Sequence, residues 1–349
     1  MKKHIFLKAF TFIAMISLLQ VVSACGSGEP SSGSSSPPAA GAPPASSEAP
    51  SAPAEVDLNF AIGATGGSNY PIGVAITQLL NDAQLPGLGN ITTQPGGGAA
   101  NIEGVHNNQI QMGIVFSTMV YDGNKGNPPF KEVSSNAVPL FSLHPYKLTV
   151  LVPADSDIQS FADLKGNRVN VGPNGFSSAV IAKQLFDLQG FKDGDLEILN
   201  LGVTDAVEQF KDGHVDALFY PPTDWYGPYI ELAQSTNIRQ VPIGSDLLNQ
   251  LNEVNPGWVQ APWPLNDQIY KGLTPVDTLA QTNVIVVNPE AVSEELAYQM
   301  VKTIAENFEK IQSLEQSLEL LEPSDLASYP GGDFHPGAEK YFKEQGWMQ

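Results

Sequence analysis

Glycine and small polar residues follow a short apolar stretch near residue 60, in a pattern that could bind an anion. Val56–Ile62 alternates apolar and polar residues and predicts a strand, and residues 63–71 read GATGGSNYP. Ile72 and Ile76 then share one face of a predicted helix, with Pro71 suited to its first position. A helix N-terminus favours negative charge because its first N–H groups are unpaired and its macrodipole is positive there. The glycines would let an anion approach closely, although the same turn can also connect strand and helix without any ligand.

Three other predicted strands end in similar residues, at 95–98, at 117–118 and at 173–178. Ligands of open α/β sheets bind outside the carboxyl ends of the strands, so we expect these ends to meet at one pocket. The predicted ligand-binding residues are Thr65, Gly66, Gly67, Ser68, Asn69, Tyr70, Ser117, Thr118, Asn174, Gly175, Phe176, Ser177, Ser178, Tyr220 and Trp225.

Arginine, the usual clamp for a carboxylate, is scarce in this chain. The sequence contains only Arg168 and Arg239, and each lies where a predicted strand begins, at the opposite end from the pocket. Backbone N–H groups at 66–70 and 175–178 would therefore hold an anion, and hydroxyl and amide side chains would add neutral hydrogen bonds.

Four aromatic residues are candidates for the pocket wall, where they would exclude water: Tyr70, Phe176, Tyr220 and Trp225. Core packing is an equally good interpretation of Tyr220 and Trp225. Asn174 and Ser177 can also cap the helix that follows them, and one residue can do both.

Strands and helices alternate from residue 56 to the C-terminus, which predicts parallel sheets with helices on both faces. The pattern occurs twice, so the fold class is α/β with two lobes. We expect lobe 1 to contain residues 56–148 and 285–349, and lobe 2 to contain residues 149–284.

The chain must cross between these lobes, and the apolar strands near 147–153 and 282–288 are the predicted crossings and hinges. A single long helix is predicted from about residue 289 to residue 312, on the spacing of its apolar residues. Residues 244–274 have no clear pattern.

The N-terminus has the pattern of an export signal. Lys2, Lys3 and Lys8 lie around the start of an apolar run, and the run ends in Val-Ser-Ala before Cys25. We predict a lipoprotein signal peptide over 1–24, with lipid attached to Cys25, the only cysteine. The alternative is an uncleaved membrane helix, for which this run is near the lower length limit. Either way we expect an extracytoplasmic, membrane-anchored protein, in the periplasm or at the cell surface.

Residues 25–55 are rich in Ser, Pro, Ala and Gly and predict a disordered tether, because they cannot bury enough apolar surface to fold. Removing the three signal-peptide lysines would take the formal charge from −20 to near −23. Nucleic acid is therefore excluded as a partner, since phosphate contacts need clustered Lys and Arg.

Motifs of the common enzyme classes are missing from the sequence. There is no Gly-x-Ser-x-Gly, no His-Glu-x-x-His, and no phosphate loop ending in Gly-Lys-Ser/Thr. The histidines have no partner at metal-ligand spacing. We therefore expect no catalysis, no metal and no cofactor, and we expect a monomer.

Short motifs in a fixed order resemble the TAXI-type solute-binding proteins of TRAP transporters. They are Gly66-Gly67-Ser68-Asn69-Tyr70-Pro71, residues 110–115, Ser117 with Tyr121, residues 163–172, residues 211–217 and His335-Pro336-Gly337-Ala338. Each motif is weak alone, but together they cover nearly the whole folded region.

The resemblance implies a two-lobed, periplasmic-binding-protein-like fold of type II that closes on a small organic anion. The expected ligands are carboxylates and acidic amino acids such as glutamate, delivered to a TRAP membrane permease driven by an ion gradient. The chain departs from the family at 116–118 and at 174–177, both at the expected pocket, which leaves the ligand open. The alternatives are an ABC-type binding protein for another solute and a surface lipoprotein, or extracellular enzyme, without a transport role.

Overall fold

Two β-sheets organise the protein; the first packs against one hydrophobic cluster, and the second contributes residues to two. The computed structural model describes residues 55–63, 68–174, 176–223, 225–264, 270, 272–314 and 318–348. The described residues belong to one compact unit. The predicted signal peptide, Cys25 and nearly all of the tether lie outside them.

The first sheet has the strand order β10-β11-β3-β1-β2, with β4 also paired to β11. Its strands are β1 (Val56–Ile62), β2 (Leu88–Pro95), β3 (Met112–Phe116), β4 (Val138–Lys147), β10 (Trp258–Trp263) and β11 (Val276–Val287). β1 runs parallel to β2 and β3, whereas β11 runs antiparallel to β3, β4 and β10. The carboxyl ends of β1, β2 and β3 therefore lie at one edge, where three of the predicted turns begin.

The second sheet has the strand order β7-β6-β8-β5-β9. Its strands are β5 (Thr149–Pro153), β6 (Arg168–Asn170), β7 (Glu197–Leu199), β8 (Ala217–Tyr220) and β9 (Ile238–Gln240). β6 is parallel to β7 and β8, and β5 is antiparallel to β8 and β9.

Ten α-helices in the described part of the chain cover these sheets. They are α1 (Asn69–Ala83), α2 (Gly98–His106), α3 (Ser117–Lys125), α4 (Ser177–Gln189), α5 (Val203–Lys211), α6 (Gly227–Ser235), α7 (Ser245–Val254), α8 (Glu294–Glu306), α9 (Phe308–Leu314) and α10 (Pro336–Glu344). α1, α2, α8 and α10 pack their apolar faces into the first core, and α4 and α7 pack into the second. The two-lobed α/β fold class predicted from the sequence is confirmed.

The lobes are joined by crossing strands, as expected. β4 ends in the first sheet at Lys147 and β5 begins in the second at Thr149. β11 contributes Leu279 to the core of the second lobe and Val284 to that of the first. Leu148 between β4 and β5 donates its N–H to the Leu279 carbonyl at 2.8 Å, so the two crossings are tied together.

A further crossing lies in a region that the sequence left without a pattern. The turn 255–257 leads from α7 to β10, and Asn255 Nδ2 donates to the Thr118 carbonyl at the start of α3. A Cβ on Gly257 would come within 2.9 Å of the Ser117 backbone, so only glycine allows this close approach.

Three local predictions were wrong in detail. α1 begins at Asn69, which makes Pro71 its third residue rather than its first. The helix expected over 289–312 is two helices, α8 and α9, separated at Asn307. The second crossing strand begins at Val276, six residues before its β-branched stretch, because its first half pairs with β10. The lobe boundaries drawn from the sequence stay a prediction.

Candidate functional site

A cavity of about 720 Å³ opens between the two lobes at the carboxyl ends of the first sheet's parallel strands. Most of its wall comes from the first lobe and the rest from the start of α4 and the end of β8. The lining residues are Gly63, Ser68, Asn69, Gly96, Gly97, Gly98, Ala99, Ala100, Ile114, Val115, Phe116, Met119, Pro129, Tyr146, Phe176, Ser177, Ser178, Val180, Tyr220 and Pro221. Its volume is in the range of pockets that bind drug-sized ligands.

Four helix N-termini meet at this cavity. The N-cap residues of α1, α2, α3 and α4 are Ser68, Gly97, Phe116 and Phe176, and all four line the wall. None of these N-cap side chains accepts a hydrogen bond from its own helix. Within the described residues, the first N–H groups of these helices therefore have no capping side chain at the place where a ligand would lie.

The N-terminus of α2, called the α2 end below in the same way as the α1 and α4 ends, has the most free space around it of the four. Gly97 and Gly98 have φ values of +154° and +59°, and a Cβ on either would meet nothing within 4 Å. The Gly97 N–H is already bonded to Asn101 Oδ1 at 2.8 Å. Gly98 therefore presents the first free N–H of α2, with open space around its α-carbon.

The side chains at the α1 end are held by a hydrogen-bonded network. Tyr146 Oη donates to Asn69 Oδ1 at 2.7 Å and lies 2.6 Å from Ser68 Oγ, so Ser68 is the donor in that second bond. Asn283 Nδ2 also donates to Asn69 Oδ1. Asn69 Nδ2 in turn donates to Asn283 Oδ1 at 3.4 Å, and its second hydrogen is a further donor, besides the backbone N–H, that Asn69 could offer a ligand. The network fixes α1 to both crossing strands, since Tyr146 is in β4 and Asn283 is in β11.

The α4 end contributes a buried hydroxyl with no partner. Ser178 is 2% exposed, lines the cavity, and its Oγ makes no hydrogen bond within the described residues. It packs so closely against Gly172 that a Cβ there would lie 2.6 Å from Oγ. A buried hydroxyl without a partner is costly, and because Oγ has almost no accessible surface, a ligand could accept its hydrogen and recover that free energy only after the hydroxyl turns toward the cavity.

Aromatic rings form the sides of the cavity. Phe116 meets Tyr146 edge to face, with ring centroids 5.1 Å apart. Tyr220 stacks on Tyr226 at 5.3 Å. Burial raises the pKa of both Tyr220 and Tyr226, so both phenols are neutral at physiological pH.

No lining residue in the described part of the chain carries a charge. Both arginines are engaged elsewhere, as the sequence indicated. Arg168 pairs with Asp216 at 2.6 Å, and the hydrogen bond from Arg168 lowers the pKa of Asp216. Arg239 Nη2 donates to the carbonyls of Ser156 and Ile158.

His144 lies behind the wall, with its ring centroid 4.9 Å from that of Tyr146. It is 3% exposed, and its ring nitrogens make no hydrogen bond within the described residues. Burial, aided by the charge of Lys147, lowers the pKa of His144 to about 3. The imidazole is therefore neutral.

The structure brings six of the predicted site residues together on the wall: Ser68, Asn69, Phe176, Ser177, Ser178 and Tyr220. Thr65, Gly66, Gly67 and Gly175 lie outside the described residues.

The other five predicted residues do not line the cavity. Ser117 Oγ donates to the Gly257 carbonyl at 2.7 Å, and Thr118 Oγ1 donates to Gln281 Oε1 at 2.8 Å. Both hydroxyls are therefore bonded to the segments that cross between the lobes. Tyr70 packs against the first core, and Asn174 is exposed. Trp225 has a buried indole N–H but is not among the residues that line the cavity.

Sequence reasoning missed the α2 end as a set of site residues and also missed Tyr146. The glycine turn at 95–98 was predicted to lie at the pocket because it follows a strand. That signal would have justified adding its residues to the predicted ligand-binding residues. Tyr146 had no local signal, because a residue in a crossing strand reaches the cavity only through the packing of the lobes.

Within the described residues, no group of three or more His, Cys, Asp or Glu side chains is placed to hold a metal ion. No helix in the same residues is both long and apolar enough to cross a membrane.

The fold and this cavity define a two-lobed α/β protein with a pocket between its lobes. The sequence profile of the NMT1-like family matches residues 60–346, and the chain belongs to that family. The finer TAXI assignment stays a prediction.

Solved structures of binding proteins are similar to this chain at low identity. The periplasmic aliphatic sulphonate binding protein SsuA from Escherichia coli is 17% identical, with a TM-score of 0.47 over 85% of this chain and 95% of that chain. A putative L-cystine ABC transporter from Listeria monocytogenes is 12% identical, with a TM-score of 0.43 over 81% and 99%. The probable amino-acid ABC transporter extracellular-binding protein ytmK from Bacillus subtilis is 14% identical, with a TM-score of 0.43 over 80% and 100%. At these scores the similarity says nothing about the ligand of this chain.

Proposed function

We propose that this protein is an extracytoplasmic solute-binding lipoprotein that captures a small organic anion between its lobes and delivers it to a membrane permease. The observation that carries the proposal is the convergence of four helix N-termini, without capping side chains, on one cavity between the lobes. Thr65, Gly66, Gly67 and Gly175 stay predicted ligand-binding residues. Lipid on Cys25 would anchor the protein.

The helix ends supply attraction without a charged side chain. Each is equivalent to roughly half a positive charge and stabilises a nearby anion by about 0.3–1 kcal/mol, or up to about 2 kcal/mol when partly buried. Four such ends together would contribute a few kcal/mol. Micromolar affinity requires about 8 kcal/mol, so the remainder must come from direct hydrogen bonds and apolar burial.

Closure follows from contact with both lobes. A ligand held by α1 and α2 in the first lobe and by α4 in the second would favour the closed arrangement by the difference in its contacts between the two states. The two predicted crossings, near 147–153 and 282–288, would act as hinges together with the further crossing at Asn255.

Calorimetric titration with two ligands of the same shape tests the binding of an anion. The purified full-length protein is titrated with pentanoate and with pentanamide, which replaces the carboxylate by a neutral amide. We expect pentanoate to bind at least tenfold more tightly. Equal binding of the two, or binding of the amide alone, would refute the anion proposal.

The delivery partner is proposed to be a TRAP-type permease, on the basis of the ordered motifs from residue 66 to residue 338. The test is uptake of a radiolabelled ligand by cells that express this chain with its transporter. TRAP-type delivery predicts that uptake stops when the ion gradient is collapsed while ATP is maintained. Uptake that follows ATP instead would establish the ABC-type alternative.

A further inference from the structure

The cavity wall has a polar part and an apolar part, and the two differ in what they could bind. The polar part consists of the backbone N–H groups and polar side chains at the four helix ends, whereas the side chains of two N-cap residues, Phe116 and Phe176, belong to the apolar part. The apolar part comes from both lobes and consists mainly of Ile114, Val115, Phe116, Met119, Pro129, Phe176, Val180 and Pro221. An ion that filled only the polar part would leave this surface in contact with water.

We propose that the ligand has a single anionic head on an apolar body, with no ammonium group and no second carboxylate. The head would be a carboxylate or a sulfonate. The inference rests on the proposed function and specifies its substrate class: monoacids with hydrocarbon bodies, in place of glutamate and other amino acids.

The first support is the missing partner for an ammonium group. None of the lining residues in the described ranges is Asp or Glu, and the positive ends of four helices face the same space. An ammonium enclosed there would lose its water and be repelled by those ends, which is costly for an unpaired charge. A free amino acid is therefore a poor ligand.

The second support is the missing partner for a second carboxylate. A dicarboxylate bound with one head at the helix ends and the other against the apolar part would meet no arginine or lysine of the described wall at the second head. Both arginines are bonded to groups in the second lobe that lie away from the cavity.

The third support is Phe176, a large apolar side chain that is 49% exposed where it lines the cavity. It is the N-cap of α4, so its ring is adjacent to Ser177 and Ser178 at the α4 end. A head bound at that end would lie beside an apolar body that covers Phe176 and Val180. The ring would be removed from water only when such a body is present.

Matched ligands separate the proposal from its alternatives. The full-length protein is titrated calorimetrically with leucine against 4-methylpentanoate, which lacks only the ammonium. It is also titrated with glutarate against pentanoate, in which a methyl group replaces the second carboxylate. We expect each monoacid to bind at least tenfold more tightly than its counterpart. Affinity should rise about fourfold with each added methylene from propanoate to hexanoate, as for a buried hydrocarbon chain. Pentanesulfonate against hexanoate would show which head is preferred.

Two variants test the role of Phe176. Phe176→Ala should flatten the dependence on chain length, with about a tenfold loss for hexanoate and little loss for propanoate. Ile198→Ala is the matched control, because Ile198 is an apolar residue of the same lobe, 50% exposed and away from the cavity, and it should change neither affinity.

The outcomes distinguish this inference from the proposed function. If leucine or glutarate binds as tightly as its counterpart, or if affinity does not depend on chain length, the inference is wrong while anion binding stands. If no acid binds, both fail.

Discussion

A negative charge placed at the start of α2 should strongly weaken anion binding, and the structure offers a matched pair of variants for the test. Gly98 has φ of +59°, and a Cβ there would meet nothing within 4 Å. Asn and Asp are the non-glycine residues that best tolerate this left-handed conformation. Gly98→Asp and Gly98→Asn have nearly the same shape, and they differ by one charge inside the cavity.

The expected difference follows from Coulomb's law. Two unit charges about 5 Å apart repel by about 3 kcal/mol at an effective dielectric constant near 20, which corresponds to a loss of affinity on the order of 100-fold. The Asp carboxylate lies at a helix N-terminus, which stabilises its ionised form. The Asp variant should therefore fold at least as stably as the Asn variant.

The assay is calorimetric titration of both variants with pentanoate at pH 7, after their melting temperatures have been compared. We expect Gly98→Asn to retain most of the wild-type affinity and Gly98→Asp to lose about two orders of magnitude. Equal affinities in two variants of equal stability would refute the assignment of the α2 end to anion binding. A salt titration adds a check, because screening should reduce the difference.

Three further predictions concern single residues. Ser178→Ala should leave the unliganded protein equally or more stable in a thermal melt, because it removes an unpaired buried hydroxyl, yet lower pentanoate affinity about fivefold, the value of one hydrogen bond. His144→Phe should reduce the acid sensitivity of stability in urea unfolding. His144 has a pKa of about 3 when folded and 6.5 when unfolded, so its contribution falls by about 1.4 kcal/mol per pH unit as the pH drops below 6.5. Gly337→Ala should lower the melting temperature by several degrees, since a Cβ there would lie 2.0 Å from the Glu294 carbonyl oxygen where α10 meets α8.

Each of these three predictions would be contradicted by a specific result. A Ser178→Ala protein that is less stable but binds normally would mean that the hydroxyl has a structural partner. Parallel stability curves for wild type and His144→Phe between pH 7 and pH 5 would mean that the imidazole does not stay neutral. An unchanged melting temperature for Gly337→Ala would mean that the helices are not in close contact.

The sequence predicted those parts of the fold that depend on local pattern. The alternation of Val56–Ile62 and the glycines after it indicated a strand and a turn, and α1 follows with Ile72 and Ile76 buried. The break at Asn307 and the early start of β11 were not predictable in this way. They depend on the packing of α9 against α1 and on the pairing of β11 with β10, which are contacts between distant parts of the chain.

In the candidate site, too, some residues could be predicted from local pattern, whereas others depend on contacts between distant parts of the chain. Ser68, Asn69, Ser177 and Ser178 were predictable because turns at the ends of parallel strands converge. Tyr146 was not, because nothing around it in the sequence shows that a crossing strand reaches the cavity. Ser117 was predicted to bind the ligand because it follows a strand, but its hydroxyl is bonded to the turn that leads into β10.

Diffraction from crystals grown with 5-bromopentanoate would test the central claim most directly, because the anomalous signal locates the bromine at one end of the ligand. We predict that the carboxylate lies within hydrogen-bond distance of backbone N–H groups at the α2 and α4 ends, near Gly98 and Ser178. We predict that the bromine lies against Phe176 and Met119. A ligand bound outside the cavity, or one whose carboxylate faces the apolar part of the wall, would contradict the account.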